Sequence, residues 1–167
     1  MVKTVKHTNK NRTVMRIVVI VGFLFISIVG HAQAVMNNKE EEGVKKACMN
    51  YIEGFYEGDA SKLEAALKPS LYKNGYWKNK ETGAYAAAGQ MTYEKALAYA
   101  NNVAAKKEFA KEDAVKVVEV LDISNHIAAA KVKAWWGIDY MLLSKEGDVW
   151  IIEQVLWEGP LEKSHLN

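Results

Sequence analysis

Two carboxylates stand where apolar residues would be expected. Glu119 interrupts the alternating series Val115, Val117, Leu121, Ile123, and Glu153 interrupts Val149, Ile151, Val155, Trp157. If those faces point inward, the carboxyls are desolvated and their pKa values rise. A raised carboxyl beside a tyrosine supplies a general base and an oxyanion donor, the equipment of an isomerase or dehydratase. The alternative is an outer face, with the carboxylates paired to Lys116, Lys131 or Lys133. A second group is aromatic. Tyr51, Phe55, Tyr72, Trp77, Trp136, Tyr140 and Trp157, with Gln154, come from several segments and are the candidate ligand-binding residues. Buried Tyr and Trp join a large apolar face to one hydrogen-bonding tip, which suits a flat organic ligand. The competing expectation for each of them is ordinary core packing.

Other chemistry is poorly provided for. G-x-S-x-G, P-loop, G-x-G-x-x-G and H-E-x-x-H patterns are absent. Cys48 is the single cysteine, which excludes an internal disulfide and a cysteine zinc site, and beside Ala47 and Ile52 it reads as a small core residue. Beyond Ala34 the only histidines are His126 and His165. No metal site and no cofactor are expected.

The segment up to Ala34 differs from the rest. Lys3, Lys6, Lys10, Arg12 and Arg16 precede an apolar run, 17–29, and small residues ending Ala32-Gln33-Ala34. That order predicts a secretory signal, residues 1–34, cleaved after Ala34, with Met15 as an alternative start. The apolar run is short for a bilayer span of about 20 residues. The expected location is periplasmic or secreted, with no stable membrane span after cleavage. Removal takes five of the 22 basic residues, none of the 20 acidic ones, and both arginines, leaving a net charge of −3. A slightly acidic chain without arginine is a poor reader of nucleic acid.

The elements that must position these residues follow from periodicity. Val44, Ala47, Cys48, Tyr51, Ile52 and Phe55 form one helical stripe within Lys39–Glu57. Gly58-Asp59 ends that helix, and a short one follows over Ala60–Leu67. Leu71–Trp77 and Ala84–Ala87 suggest a hairpin, and Thr92 caps a third helix. Three strands are predicted over Ala114–Ile123, His126–Lys145 and Val149–Trp157. The middle one alternates through Ala130, Val132, Ala134, Trp136, Ile138, Tyr140 and Leu142, which sends those residues to one face. At about three times the usual strand length it should bend, with Gly137 as the natural site. A long bent antiparallel sheet curls, and helices on its concave face enclose a cavity. One domain is expected, 35–159, with a flexible tail at 160–167.

The residues add a family resemblance to this order of elements. Phe55-Tyr56-Glu57-Gly58-Asp59 joins the helix pair, and Leu67-Lys68-Pro69-Ser70-Leu71-Tyr72-Lys73 enters the hairpin. Val120-Leu121-Asp122-Ile123, Asp139-Tyr140-Met141-Leu142-Leu143 and Gly147-Asp148-Val149-Trp150-Ile151-Ile152 follow. Together they resemble the putative lumazine-binding branch of the NTF2-like superfamily, over about Val44–Trp157. The resemblance implies an α+β fold, the SnoaL-like cone, with three helices packed on a curved, mostly antiparallel sheet. It also implies a small-molecule ligand. The chain departs from the pattern at Lys68, where members often carry His, and at Asn74, where a second basic residue often stands.

Three functions remain open at this stage. The first is an exported binder of a small, largely apolar or aromatic molecule, without turnover. The second is an isomerase, dehydratase or hydrolase using Glu119 or Glu153 with Tyr51, Tyr72 or Tyr140. The third is a structural module that forms a homodimer through the outer sheet face, with Trp135 in the contact.

Overall fold

The computed structural model describes residues 38–165, and the predicted signal segment lies outside them. The chain divides into two units, Met1–Lys39 and Glu40–Asn167. The second unit holds the sheet and the recess described below.

Three helices and a six-stranded sheet make an α+β fold. Helix α1 covers 38–57 and buries the predicted stripe, from Val44 to Phe55. Asp59 caps α2 (Ala60–Ala66) by accepting from the Ser61 and Lys62 amides. Those donors have no partner within the helix, so the cap fixes where it begins. Helix α3 (Tyr93–Lys106) starts at the predicted Thr92 cap and ends on Lys107 in the left-handed conformation, φ 56°.

The strands are β1 (Leu67–Lys78), β2 (Tyr85–Ala87), β3 (Lys116–Ile123), β4 (Ile127–Ala134), β5 (Gly137–Glu146) and β6 (Val149–Gly159). Their order is β2-β1-β6-β5-β4-β3, with β1 and β6 parallel and all other pairs antiparallel. One sheet face joins the helices in a single core that includes Leu63, Leu71, Ala130, Val132, Met141, Leu143, Trp150 and Ile152.

The predicted single strand His126–Lys145 is two strands, β4 and β5. The chain reverses at Trp135-Trp136, and Ala134 pairs with Gly137. Residues opposite each other in a hairpin share a face. A two-residue connection therefore moves the inward set from even to odd positions. Ala128, Ala130, Val132 and Ala134 point inward on β4, and Gly137, Asp139, Met141 and Leu143 on β5. Tyr140 and Leu142, expected inward, are 52% and 54% exposed, whereas Asp139 is fully buried. Gly137 sets this reversal: its φ is +153°, and a Cβ there would stand 1.9 Å from the Glu158 carbonyl oxygen.

Strand β6 carries a second change of parity. Leu142 pairs with Gln154 but Leu143 with Ile152, so Glu153 is an extra residue in a bulge. Trp150 and Ile152 are inward before it, Val155 and Trp157 after it. Both faces of this strand look apolar in sequence because each is inward for half its length. Beyond β6, Lys163–His165 form a short 3-10 helix, and Glu162 pairs with Lys78 at 2.5 Å.

Candidate functional site

The inward face leaves a recess of about 170 Å³ among aromatic side chains. Helix α1 contributes Tyr51 and Phe55 one turn apart. Tyr99 comes from α3, Lys73 and Trp77 from β1, Trp135 and Trp136 from the β4–β5 turn, and Trp157 from β6, with Met91 at the edge. The rings meet edge to face. Phe55 lies 5.0 Å from Tyr51, 5.6 Å from Tyr99 and 5.7 Å from Trp136 between centroids, and Tyr51 lies 6.0 Å from Trp136. Trp77 and Trp157 form the other wall, tilted at 6.1 Å. Gly75 makes room for that wall, since a Cβ there would meet the Trp157 indole at 2.4 Å.

The floor is polar. Lys73 and Asp139 are the buried charged residues among those described. The Lys73 ammonium donates to the Tyr51 hydroxyl at 2.6 Å, and that hydroxyl donates to Asp139 Oδ2, also at 2.6 Å. Trp136 Nε1 donates to Asp139 Oδ1 at 2.9 Å. Lys73 Nζ is 3.6 Å from Asp139 Oδ2, and 5.3 and 5.2 Å from the Tyr51 and Trp157 ring centres. Both carboxylate oxygens are satisfied, as a buried charge requires.

Burial governs the ionisation of this floor. It holds the Lys73 amine below its ordinary range, partly opposed by the Asp139 charge. It pushes the Tyr51 phenol well above its ordinary value, and the negative Asp139 adds to that. Cys48, buried nearby with its thiol against Met141 Sδ at 3.8 Å, is pushed up to about 12, chiefly by desolvation. A low dielectric strengthens each interaction the floor offers a ligand. The recess can therefore stack a flat ring between aromatic walls and meet its polar edge with an amine and a phenol.

Five of the predicted ligand-binding residues converge here: Tyr51, Phe55, Trp77, Trp136 and Trp157. Tyr72, Tyr140 and Gln154 do not. They lie on the opposite sheet face, in an open groove of about 680 Å³ with Tyr76, Leu121, Leu142 and Leu156. That groove is larger than the recess, but it contains no buried ionisable group, so the recess is the stronger site for chemistry.

Neither candidate carboxylate reaches the recess. Glu119 is exposed on β3, in register with Lys131. Glu153 accepts from Lys68 Nζ and Ser144 Oγ, both at 2.5 Å. Lys68 first, then Ser144, holds its pKa below the ordinary carboxylate value, opposite to the rise expected of a desolvated base. Lys68 and Asn74, where the chain departs from the family pattern, are also away from the recess. Lys68 pairs with Glu153 and Glu146, and Asn74 lines the outer groove.

Sequence reasoning passed over Asp139 and Lys73 as functional residues. Asp139 was visible as the acid in an otherwise inward odd series, once Trp135-Trp136-Gly137 is read as a turn. Lys73 was visible only as the polar member of the alternation Leu71, Lys73, Gly75, Trp77. Among the described residues, no group of three His, Cys, Asp or Glu side chains is placed to hold a metal ion. No described helix is long and apolar enough to cross a membrane.

The fold is the NTF2-like cone. The chain belongs to the putative lumazine-binding family, whose model matches residues 39–158. Solved structures agree on the fold. An NTF2-like protein of unknown function from Silicibacter pomeroyi DSS-3 matches at TM-score 0.57 and 14% identity, over 72% of this chain and 96% of that one. One from Shewanella baltica OS155 matches at 0.54 and 14%, over 71% and 91%. One from Methylobacillus flagellatus KT matches at 0.53 and 17%, over 71% and 90%. No curated protein matches the chain significantly.

Proposed function

We propose that the protein is an exported binder of a small, flat, largely aromatic molecule, held in the recess without turnover. The observation that carries this reading is the junction of an aromatic slot with the buried Lys73–Tyr51–Asp139 floor. A recess of about 170 Å³ is below the ~300–1,000 Å³ of drug-sized sites. It suits one or two fused rings. Edge-to-face walls favour a planar guest, and the floor favours one with hydrogen-bonding atoms along an edge. Lumazine-like two-ring heteroaromatics have that form, and the family description supports a ligand of this class. Export is supported by the basic, apolar and Ala-Gln-Ala order of the segment that ends at Ala34.

Tryptophan fluorescence tests the reading, because Trp77, Trp135, Trp136 and Trp157 all border the recess. Titration with lumazine should give saturable quenching, weakened at least tenfold by Phe55→Ala and unchanged by Tyr140→Ser on the outer face. Linear, unsaturable quenching with every flat heteroaromatic tried would remove the proposal.

A second reading concerns the outer face. Tyr72, Tyr76, Leu121, Tyr140, Leu142 and Leu156 are each about half exposed there. Contiguous apolar surface of this kind marks an interaction site. A second copy of the chain is the partner we assign to it, since a two-fold axis would set this groove against itself. Trp135 is not part of that face; it stands at the recess.

A further inference from the structure

We propose that Lys73 is a carbonyl-capturing amine: an aldehyde or ketone on a small aromatic guest condenses with its Nζ to form an imine. This rests on the reading of the recess as a ligand site, and adds to it the chemical class of the guest's reactive group.

Placement is the first argument. Lys73 is only 5% exposed, yet it lines the recess. Its amine is thus presented to a guest and largely hidden from water. Lysine is almost never buried without a reason, and its long stem would let it reach solvent from most positions. Here the inward register of β1 holds it between the Tyr51 and Trp157 rings. The second argument is its neighbours. Tyr51 Oη at 2.6 Å and Asp139 Oδ2 at 3.6 Å can give and take the protons that condensation moves. The third is ionisation. Burial favours the neutral amine, which is the nucleophile, as in other desolvated lysines. If Lys73 served only to neutralise Asp139, none of its reactivity would exceed that of surface lysines.

The step balances without an added reagent. The Nζ lone pair attacks the carbonyl carbon, a C–N bond forms, and the π electrons move to oxygen. That oxygen takes a proton, with Tyr51 as the nearest donor, while Nζ passes one to Asp139. The resulting carbinolamine loses its C–O bond as water departs, and the second N–H proton leaves as C=N forms. Two hydrogens from nitrogen and the carbonyl oxygen leave together as one water. Water exclusion by the aromatic walls protects the imine from hydrolysis.

The test uses the full chain, benzaldehyde as the probe and cyanoborohydride to fix any imine, with benzyl alcohol as the guest that has no carbonyl. Peptide mass spectrometry after brief exposure at neutral pH should place the benzyl adduct on Lys73 more often than on any other lysine. Lys73→Arg, with circular dichroism showing a retained fold, should lose that adduct. Saturable tryptophan quenching by benzyl alcohol, with adducts spread over exposed lysines in the unmodified protein, would overturn imine capture and leave the recess as a ligand site. If neither probe gives saturable quenching and no adduct favours Lys73, the ligand site and the capture fall together.

Discussion

The two faces of the sheet carry similar side chains to opposite ends. The inner face, with helix α1 against it, sets Tyr51, Phe55, Trp136 and Trp157 around a buried Lys73 and Asp139. The outer face sets Tyr72, Tyr76, Tyr140 and Leu142 around an open groove with no buried charge. Aromatic content alone does not separate them. What separates them is an ion pair closed off from water. Two charges so placed are expensive to desolvate, and removing either one leaves the other buried and uncompensated. An apolar groove of this openness has no such demand on it, and can close against another surface.

The comparison can be broken first at Asp139. Asp139→Ala leaves Lys73 buried without its anion, and should lower stability by about 3–5 kcal/mol, the usual range for breaking a buried pair. Urea denaturation measures it. Tyr140→Ser, one residue away on the other face, should change monomer stability by about 0.5 kcal/mol or less. Equal losses from the two would show that inner and outer faces do not differ in this way.

Gly137→Ala attacks the turn that assigns residues to faces. A Cβ there meets the Glu158 carbonyl and must adopt φ +153°, so destabilisation of at least ~1–3 kcal/mol is expected. Thermal unfolding would show it, and an unchanged midpoint would mean the hairpin tolerates another geometry.

A pH series sharpens the comparison further. The folded pKa of Lys73 lies below its unfolded value of 10.5. Between those two values the unfolded chain holds the extra proton, so stability rises with pH across that window. Cys48, raised from 9.0 to about 12, opposes this above about pH 9, and Tyr51, raised above its ordinary 10.0, above about pH 10, because the unfolded thiol and phenol ionise first. Urea midpoints below about pH 9 should therefore climb in the native protein, and Lys73→Met should flatten the climb. Glu153 behaves in the opposite sense at acid pH. Its folded pKa is depressed, so its contribution is present above the ordinary value of 4.5 and fades as pH falls through the folded one.

The smallest effect is expected at Glu153. Its side chain is 29% exposed, and loss of the Lys68 pair in Glu153→Gln should cost about 0–1 kcal/mol. Ligand quenching should be untouched, because this carboxylate lies outside the recess. On the outer face, Leu142→Lys should convert a dimer to a monomer in sedimentation; a native protein that is already monomeric would end that proposal.

Much of this protein was determined by local pattern. The helical stripe from Val44 to Phe55, the Thr92 cap, the pairing of the Leu71–Trp77 and Ala84–Ala87 segments and the family assignment were all legible in the order of residues. Each depends on interactions within a turn or two of chain, or on a periodicity that one face of an element must keep. The tertiary structure decided which face each strand residue took. Alternation specifies two sets but not which is inward, and a two-residue turn or a single bulge exchanges them. At Trp135-Trp136 that exchange put Asp139 in the core and Tyr140 outside it, and at Glu153 it joined Ile152 and Trp157 on one face. Lys73 and Asp139 are distant in sequence, on β1 and β5, and come within 3.6 Å only when both strands lie beside β6. Their partnership depends on sheet order, which no short stretch of the chain encodes.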